Sequence, residues 1–500
     1  MNTLLNGLKD NFNYTRTENG AITHKTTKSA LLDMFGMGGS MRKRSDDDII
    51  LMFKNAYEEN PEYAVKCLFY LRDARGGCGE RRFFRVVIKW LAKENKNAVL
   101  RNMKFIPEMG RWDDLYSLVD TPVEKEMFDF ICKQLTLDVE CNTPSLLAKW
   151  CKSENTSSYE SRVLGQKTRE ALDLTPRAYR KMLSLLRGRI NIVETLMSQN
   201  RWDEIKFDKI PSRAGLIYKN AFAKRDIIKE QYKAFMSDKT TKVNAKVLNP
   251  VDIANQIFAS RYRASEVDRL AWQKYWDNLE DYYDGREEPD IAIVDVSGSM
   301  HGQPLNAAVS MGAYIAERGK GPFHNHFITF SDNPELVEFK GVDIYDKFWR
   351  AASANWNGST NIEAVFDLLL RTAIQKKVKP EDMPKTLYIF SDMEFNGCLH
   401  TNRKLRSVWG NYVYASIDGE SGVNTLIEEK MKEWKAYGYT TPRIIFWNLD
   451  ARHENIPAIG DKFSYVSGFS MNMVKSILSG KDGFQLMMLK LNEPRYKDIH

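Results

Sequence analysis

Six cysteines in 500 residues (Cys67, Cys78, Cys132, Cys141, Cys151 and Cys398) form no Cys-x-x-Cys pair and no zinc-like spacing. They read as reduced, mostly structural thiols, which sets aside a disulfide framework and a zinc finger. No apolar run approaches the roughly 20 residues needed to cross a bilayer. The start, Met1-Asn2-Thr3-Leu4-Leu5-Asn6, has neither a basic n-region nor a long apolar h-region, so no secretory signal is expected and the cytoplasm is the expected location. Enzyme signatures are equally scarce. His301, His324, His326, His400 and His453 are scattered, with no metal-binding helix spacing. His324-x-His326 sets two imidazoles on one strand face, where ordinary surface histidines are the expected account. Asp46-Asp47-Asp48 follows Arg42-Lys43-Arg44 and reads as a helix N-terminus. No Ser/His/Asp or Cys/His arrangement can be argued from residue order, so no enzyme is expected.

What is present is a folded, charged chain of more than one domain. Its length allows two or more real cores, and its 43% hydrophobic and 28% charged residues fit a globular protein. The net charge of +7 is unevenly placed: residues 1–288 carry 49 Lys and Arg against 41 Asp and Glu, and residues 151–250 alone carry 21 against 11. Such a concentration suits an anionic partner such as nucleic acid, and equally a solvated basic face with no ligand.

The polar stretch Asp281-Tyr-Tyr-Asp-Gly285-Arg-Glu-Glu-Pro289 is the natural boundary, giving a helical domain over 1–285 and a second domain over 289–500. Upstream, Phe83, Val87, Trp90 and Leu91 recur at helical spacing, as do Tyr179, Met182, Leu183, Leu186 and Ile190. Arg177, Arg180, Lys181 and Arg187 fall on the opposite side of that second helix and predict a basic solvent face. Arg111-Trp-Asp-Asp-Leu115 recurs as Arg201-Trp-Asp-Glu-Ile205, a faint echo compatible with stacked helical pairs of the HEAT type. After the boundary, short apolar runs alternate with amphipathic ones, the pattern of βαβ units. Strands are expected at 291–295, 326–331, 335–339, 386–391, 443–448 and 463–466, and helices at 303–318, 361–376, 424–437 and 470–479. The second and third strands are close enough for an antiparallel edge hairpin on a mostly parallel, doubly wound α/β sheet.

Two strands of that set run straight into carboxylates. Ile291-Ala-Ile-Val294 leads to Asp295-Val-Ser297-Gly-Ser299, and Thr386-Leu-Tyr-Ile-Phe390 leads to Ser391-Asp392, with Gly358-Ser-Thr360-Asn361 between them. Loops after parallel strands converge at the carboxyl edge of an open sheet. Asp295, Ser297, Ser299, Thr360 and Asp392 are hard oxygen donors that suit Mg²⁺, with Mn²⁺ and Ca²⁺ as alternatives. Only two of the five are anionic, so a bound ion keeps positive charge and an open position for a partner's carboxylate or phosphate. No general base is in view, so the site reads as a docking device. The set resembles the metal-ion-dependent adhesion site (MIDAS) of von Willebrand factor A (vWA) domains.

The other unusual string is Leu71-Arg-Asp-Ala-Arg75-Gly-Gly-Cys-Gly-Glu80-Arg-Arg82. It lacks the order of a phosphate-binding nucleotide loop and no strand feeds it. Its glycines can gather several guanidinium groups, or simply turn one helix into the next. In a helical array preceding a vWA-type site, the string is similar to that of the Ro autoantigen (TROVE-vWA) family. The runs Ser145–Lys152 and Tyr179–Arg189 resemble an uncharacterised bacterial, viral and plant branch of it. That resemblance implies a monomeric ring of HEAT-like repeats closed by a Rossmann-like vWA domain that binds small non-coding or misfolded RNA as a ribonucleoprotein. The residues expected to bear RNA phosphates are Arg75, Arg81, Arg82, Lys149, Lys152, Arg177, Arg180, Lys181, Arg187, Arg189 and Arg213. The alternative is a metal-dependent protein-interaction scaffold that takes an acidic partner and no RNA.

Overall fold

Buried parallel strands read as nearly continuous apolar runs because helices cover both faces of the sheet. The second half of the chain obeys that rule. In the computed structural model, which describes residues 12–190, 192–330, 333–353, 360–397 and 425–500, it forms a six-stranded sheet in the order β5-β4-β3-β6-β7-β8. The strands are β3 (Asp290–Asp295), β4 (His326–Phe330), β5 (Glu335–Glu338), β6 (Thr386–Ser391), β7 (Arg443–Asn448) and β8 (Phe463–Ser467). β5 is antiparallel to β4 at the edge and every other pairing is parallel. β3 and β6 are neighbours in a register that sets Val294 opposite Phe390. Asp295 and the Ser391-Asp392 pair therefore leave the carboxyl edge side by side.

The Gln303–Arg318 helix that follows β3 packs directly on the sheet through small residues. A Cβ on Gly312 would stand 2.4 Å from Val294 Cγ2, and a β-branched side chain has little freedom to yield. Gly312→Ala is expected to lower stability by about 1–3 kcal/mol, read as a fall in the thermal midpoint. An unchanged midpoint would show that this helix and β3 are not closely apposed.

Two compact units emerge, each assembled from several segments instead of from the two runs 1–285 and 289–500. One contains the described residues up to Ser45, Asn249–Ala264 and Leu279–Lys490; the other contains Asp46–Leu248, Ser265–Asn278 and Leu491–His500. The first unit thus includes a short N-terminal hairpin, β1 (Tyr14–Arg16) with β2 (Ile22–His24), whose turn bridges Gly20 to Asn396 just past β6.

The second unit is helical. Its Arg82–Glu94 helix buries Phe83, Phe84, Val87, Ile88 and Leu91. Its Pro176–Arg189 helix starts with proline behind a Thr175 cap and buries Tyr179, Leu183 and Leu186. The repeated Arg-Trp-Asp string falls on 3₁₀ turns in both copies, Trp112–Leu118 and Trp202–Glu204. Among the described residues no helix is long and apolar enough to cross a membrane.

Candidate metal centre

Asp295 sits at the end of β3, fully buried. Its Oδ1 accepts the Ser297 N–H at 2.9 Å, its Oδ2 accepts the Ser391 hydroxyl, and Ser297 Oγ lies 3.1 Å from Ser299 Oγ. Burial first, and then the charge of Asp392, push the Asp295 carboxyl from 3.8 up to about 7. Burial and a like-charged neighbour both disfavour the ionised form, and a divalent cation bound there would offset both. Both of its oxygens keep spare lone pairs, and the serine hydroxyls add neutral oxygens, so the donor set fits Mg²⁺ and the other hard divalent cations. Thr360 is 2% exposed, and its carbonyl accepts the N–H of Asn396 at 2.9 Å, which ties its loop to the segment after Asp392. Gly358 and Ser359 lie outside the described residues.

A residue that no motif announced completes the surroundings. Arg452, beyond β7, donates from Nη2 to Asp392 Oδ2 at 2.9 Å and from Nη1 to Glu18 Oε2 at 2.8 Å. Glu18 belongs to the β1–β2 turn, and that turn is stitched to the end of β6 by several bonds. Thr17 Oγ1 donates to the Phe395 carbonyl, Asn19 Nδ2 to the Glu394 carbonyl, and Glu18 N to Glu394 Oε2 at 2.8 Å. Glu394, itself wholly buried, also meets His453 Nδ1 and Asn455 Nδ2, each at 2.8 Å. In the sequence His453 is only one of several scattered histidines and Glu394 is not singled out, because their partnership spans separate loops. His324 and His326 form no pair; each Nδ1 faces a backbone carbonyl, of Gly319 and of His324 respectively. His400 and Cys398 lie outside the described residues.

The expected phosphate carriers divide into free and engaged groups. Arg177, Arg180 and Lys181 are exposed, and their side chains make no hydrogen bond or ion pair among the described residues. Arg187 corrects the helical-face reading: its guanidinium turns inward, with Nε on the Ala148 carbonyl at 2.8 Å, Nη2 on the Cys151 carbonyl at 2.9 Å and Nη1 on Ser153 Oγ at 3.2 Å. A long side chain at a boundary position reaches unpaired carbonyls more readily than a wheel suggests. Arg189 donates to the Val139 carbonyl at 2.8 Å but stays exposed, and Arg213 is also exposed. Lys149 pairs with Glu194 at 3.1 Å, while Lys152 lies 5.9 Å from the Tyr116 ring centroid. Arg180, Arg187 and Lys149 share the lining of one cleft of about 570 Å³.

The glycine-arginine string has a structural explanation for its glycines. A Cβ on Gly77 would fall 1.9 Å from the Tyr70 carbonyl oxygen, and Gly79 has φ +69. Within the string, Arg75 donates to the Glu108 carbonyl at 2.9 Å and Arg82 pairs with Asp46. Asp73, fully buried, is held by Arg495 and by the Tyr496 hydroxyl at 3.0 Å.

Residues 290–493 match the family described as Domain of unknown function (DUF7788). Residues 17–142 and 145–282 match the family described as Domain of unknown function (DUF2828). Uncharacterized protein L728 of Acanthamoeba polyphaga mimivirus is 32% identical over 526 residues, spanning 95% of this chain and 86% of that protein. Among solved structures, the crystal structure of Deinococcus radiodurans RO (RSR) protein aligns over 93% of this chain and 99% of its own at 11% identity and a TM-score of 0.38, a similarity too low to carry an argument. With a profile spanning more than half its length and a relative matching nearly all of it, the chain belongs to the family described as Domain of unknown function (DUF2828).

Proposed function

We propose that this chain is a non-enzymatic RNA-binding protein of Ro type whose sheet-containing unit carries a Mg²⁺-dependent docking site of the vWA kind. The observation that carries the RNA reading is the exposed face of Arg177, Arg180 and Lys181, three cations that no carboxylate neutralises among the described residues. Cations left unpaired on one helix face suit backbone phosphates, which give affinity without sequence information. In the sheet unit, Asp295 and Asp392 with the Ser297, Ser299 and Thr360 hydroxyls would hold the ion. The ion supplies an electrophilic position that a partner's carboxylate or phosphate oxygen completes.

The test is a salt titration of small structured RNA binding, read by fluorescence anisotropy. Replacing Arg177, Arg180 and Lys181 together by Gln is expected to weaken binding at least about tenfold at low salt and to lower the salt slope by about 2. RNA affinity that is absent, or indifferent to salt, ends this reading. The second reading, a metal-dependent scaffold for an acidic protein without RNA, shares that site and is favoured by Arg187 and Lys149, whose cations are engaged within the chain. It stands if a partner is captured in Mg²⁺, released by chelator, and indifferent to the triple variant.

A further inference from the structure

Three loops bring side chains together beside the Asp295 set without belonging to it. β6 and β7 are parallel neighbours, so the segments that follow them leave the sheet at the same edge. The first supplies Glu394, the second supplies His453 and Asn455, and the β1–β2 turn supplies Glu18. Met393 sets the direction of the first: its φ of +66 is a left-handed backbone that a bulky side chain rarely adopts. The turn there carries the Glu394 N–H onto Asp392 Oδ1 at 3.1 Å. Beyond it the two carboxylates part, Asp392 to Arg452 and Glu394 to His453.

Glu394 is the anomaly. Its carboxylate has no exposed surface, and among the described residues no lysine or arginine bonds it. Its donors are the Glu18 N–H, Asn455 Nδ2 and His453 Nδ1. Buried carboxylates are otherwise paired with a fixed cation or bound to a metal ion. The fixed charges around it do not balance: Glu18, Asp392 and Glu394 stand against Arg452, which is taken up by the first two. The other acids of the β7 loop, Asp450 and Glu454, are matched one for one by Lys43 and Arg44 and contribute no surplus.

The donor atoms are spaced for one small cation. His453 Nδ1 lies 2.8 Å from Glu394 Oε1 and 3.8 Å from Glu18 Oε1, and a ligand atom of each residue lies within 4.8 Å of the others. Donors about 2.0–2.1 Å from a tetrahedral zinc ion stand about 3.3 Å apart, so a small inward movement of Glu18, whose side chain is 44% exposed, closes the set. Asn455 offers a fourth ligand. It is 3% exposed and aims its amide at Glu394 Oε1, yet its own Oδ1 has no hydrogen-bond partner among the described residues. A half-turn of the amide puts that oxygen where Nδ2 stands, a place tenable beside a carboxylate oxygen when a cation lies between them.

We propose that Glu18, Glu394, His453 and Asn455 bind one Zn²⁺ ion, at a second site distinct from the Asp295 set. One imidazole nitrogen with three oxygens, two of them anionic, suits zinc, and the nitrogen turns the choice away from Mg²⁺. His453 ligates through Nδ1 as the neutral imidazole, with its one proton on Nε2. Arg452 holds Glu18 Oε2 at 2.8 Å and leaves Oε1 for the ion. The ion pins the N-terminal hairpin to the loops after β6 and β7. The site requires neither RNA nor a docking partner.

The experiment uses the full chain with Asp295→Asn, which removes the Mg²⁺ centre and isolates the second site. That variant is expected to take up one Zn²⁺ ion by isothermal titration and to melt about 3 °C or more higher with it, while Mg²⁺ leaves it unmoved. Adding His453→Ala or Glu18→Ala is expected to weaken zinc binding at least about a hundredfold. Both side chains are partly exposed, and circular dichroism confirms that the variants fold. In the parent, zinc titrated against millimolar Mg²⁺ should show the same loss on His453→Ala. Zinc that does not bind Asp295→Asn overturns the proposal. Zinc binding that survives both His453→Ala and Glu18→Ala overturns it as well.

Discussion

Asp295→Asn is expected to abolish Mg²⁺ and Mn²⁺ binding while making the metal-free protein more stable above pH 7. The two effects share one cause. Asp295 is fully buried and its carboxyl is raised to about 7, by burial first and by Asp392 second. Between its ordinary range and that value the folded protein holds a proton that the unfolded chain has released. Metal-free stability therefore falls as pH rises from about 4 to about 7, and above that the whole cost, about 4 kcal/mol at most, is present. Asparagine carries no charge and escapes that cost. It still accepts the Ser297 N–H, although Ser391 Oγ, which already accepts the Met393 N–H at 3.0 Å, must reorient its hydroxyl. A net gain of about 2 kcal/mol at pH 8 is the expected remainder. Mg²⁺ and Mn²⁺ should raise the wild-type thermal midpoint, increasingly with pH up to about 8, and leave the variant unmoved. A wild-type midpoint indifferent to Mg²⁺ and Mn²⁺ across that range would remove the metal centre.

The second large effect lies in the helical unit. Asp114, with no exposed surface, accepts from Arg72, Arg85 and the Arg111 N–H at 2.9 Å. Asp114→Ala strands the Arg72 guanidinium in the interior with no counter-charge. Removing one partner of a buried pair costs far more than the pair itself contributes, so a loss of about 3–5 kcal/mol is expected, seen as a lower urea midpoint. Glu204→Ala, at the matching place in the second Arg-Trp-Asp string but exposed, is the control and should change little. Equal losses from both would mean that the Arg72–Asp114 bond is not held in the interior.

The strands were legible because burial on both faces leaves an unbroken apolar signature. β3 was expected at 291–295 and occupies Asp290–Asp295; β6 and β7 were expected at 386–391 and 443–448 and occupy those residues. The short hairpin was not, since three-residue strands such as Tyr14–Arg16 carry no alternation to detect. Its significance lies in bonds to residues some 375 positions away. Arg452 was invisible for a related reason: a lone arginine in a loop gains meaning only when Asp392 and Glu18 arrive beside it. Arg187 shows the limit of a helical wheel, which fixes where a Cβ points and says little about where three methylenes and a guanidinium end. The glycine string could be flagged from sequence but not apportioned. Only the contacts separate glycines needed for close approach and arginines held in pairs from Arg81, whose guanidinium has no hydrogen-bond or ion-pair partner among the described residues.

The capture of Asp73 by Arg495 and Tyr496 spans more than four hundred residues of chain. During synthesis the string around Asp73 leaves the ribosome long before its keepers exist. Until they do, its carboxylate must stay wetted, and the Leu71–Arg85 corner cannot set in its final form. The helical unit thus closes around Asp73 only once residues 491–500 have been made, which ties its completion to long-range contacts formed late.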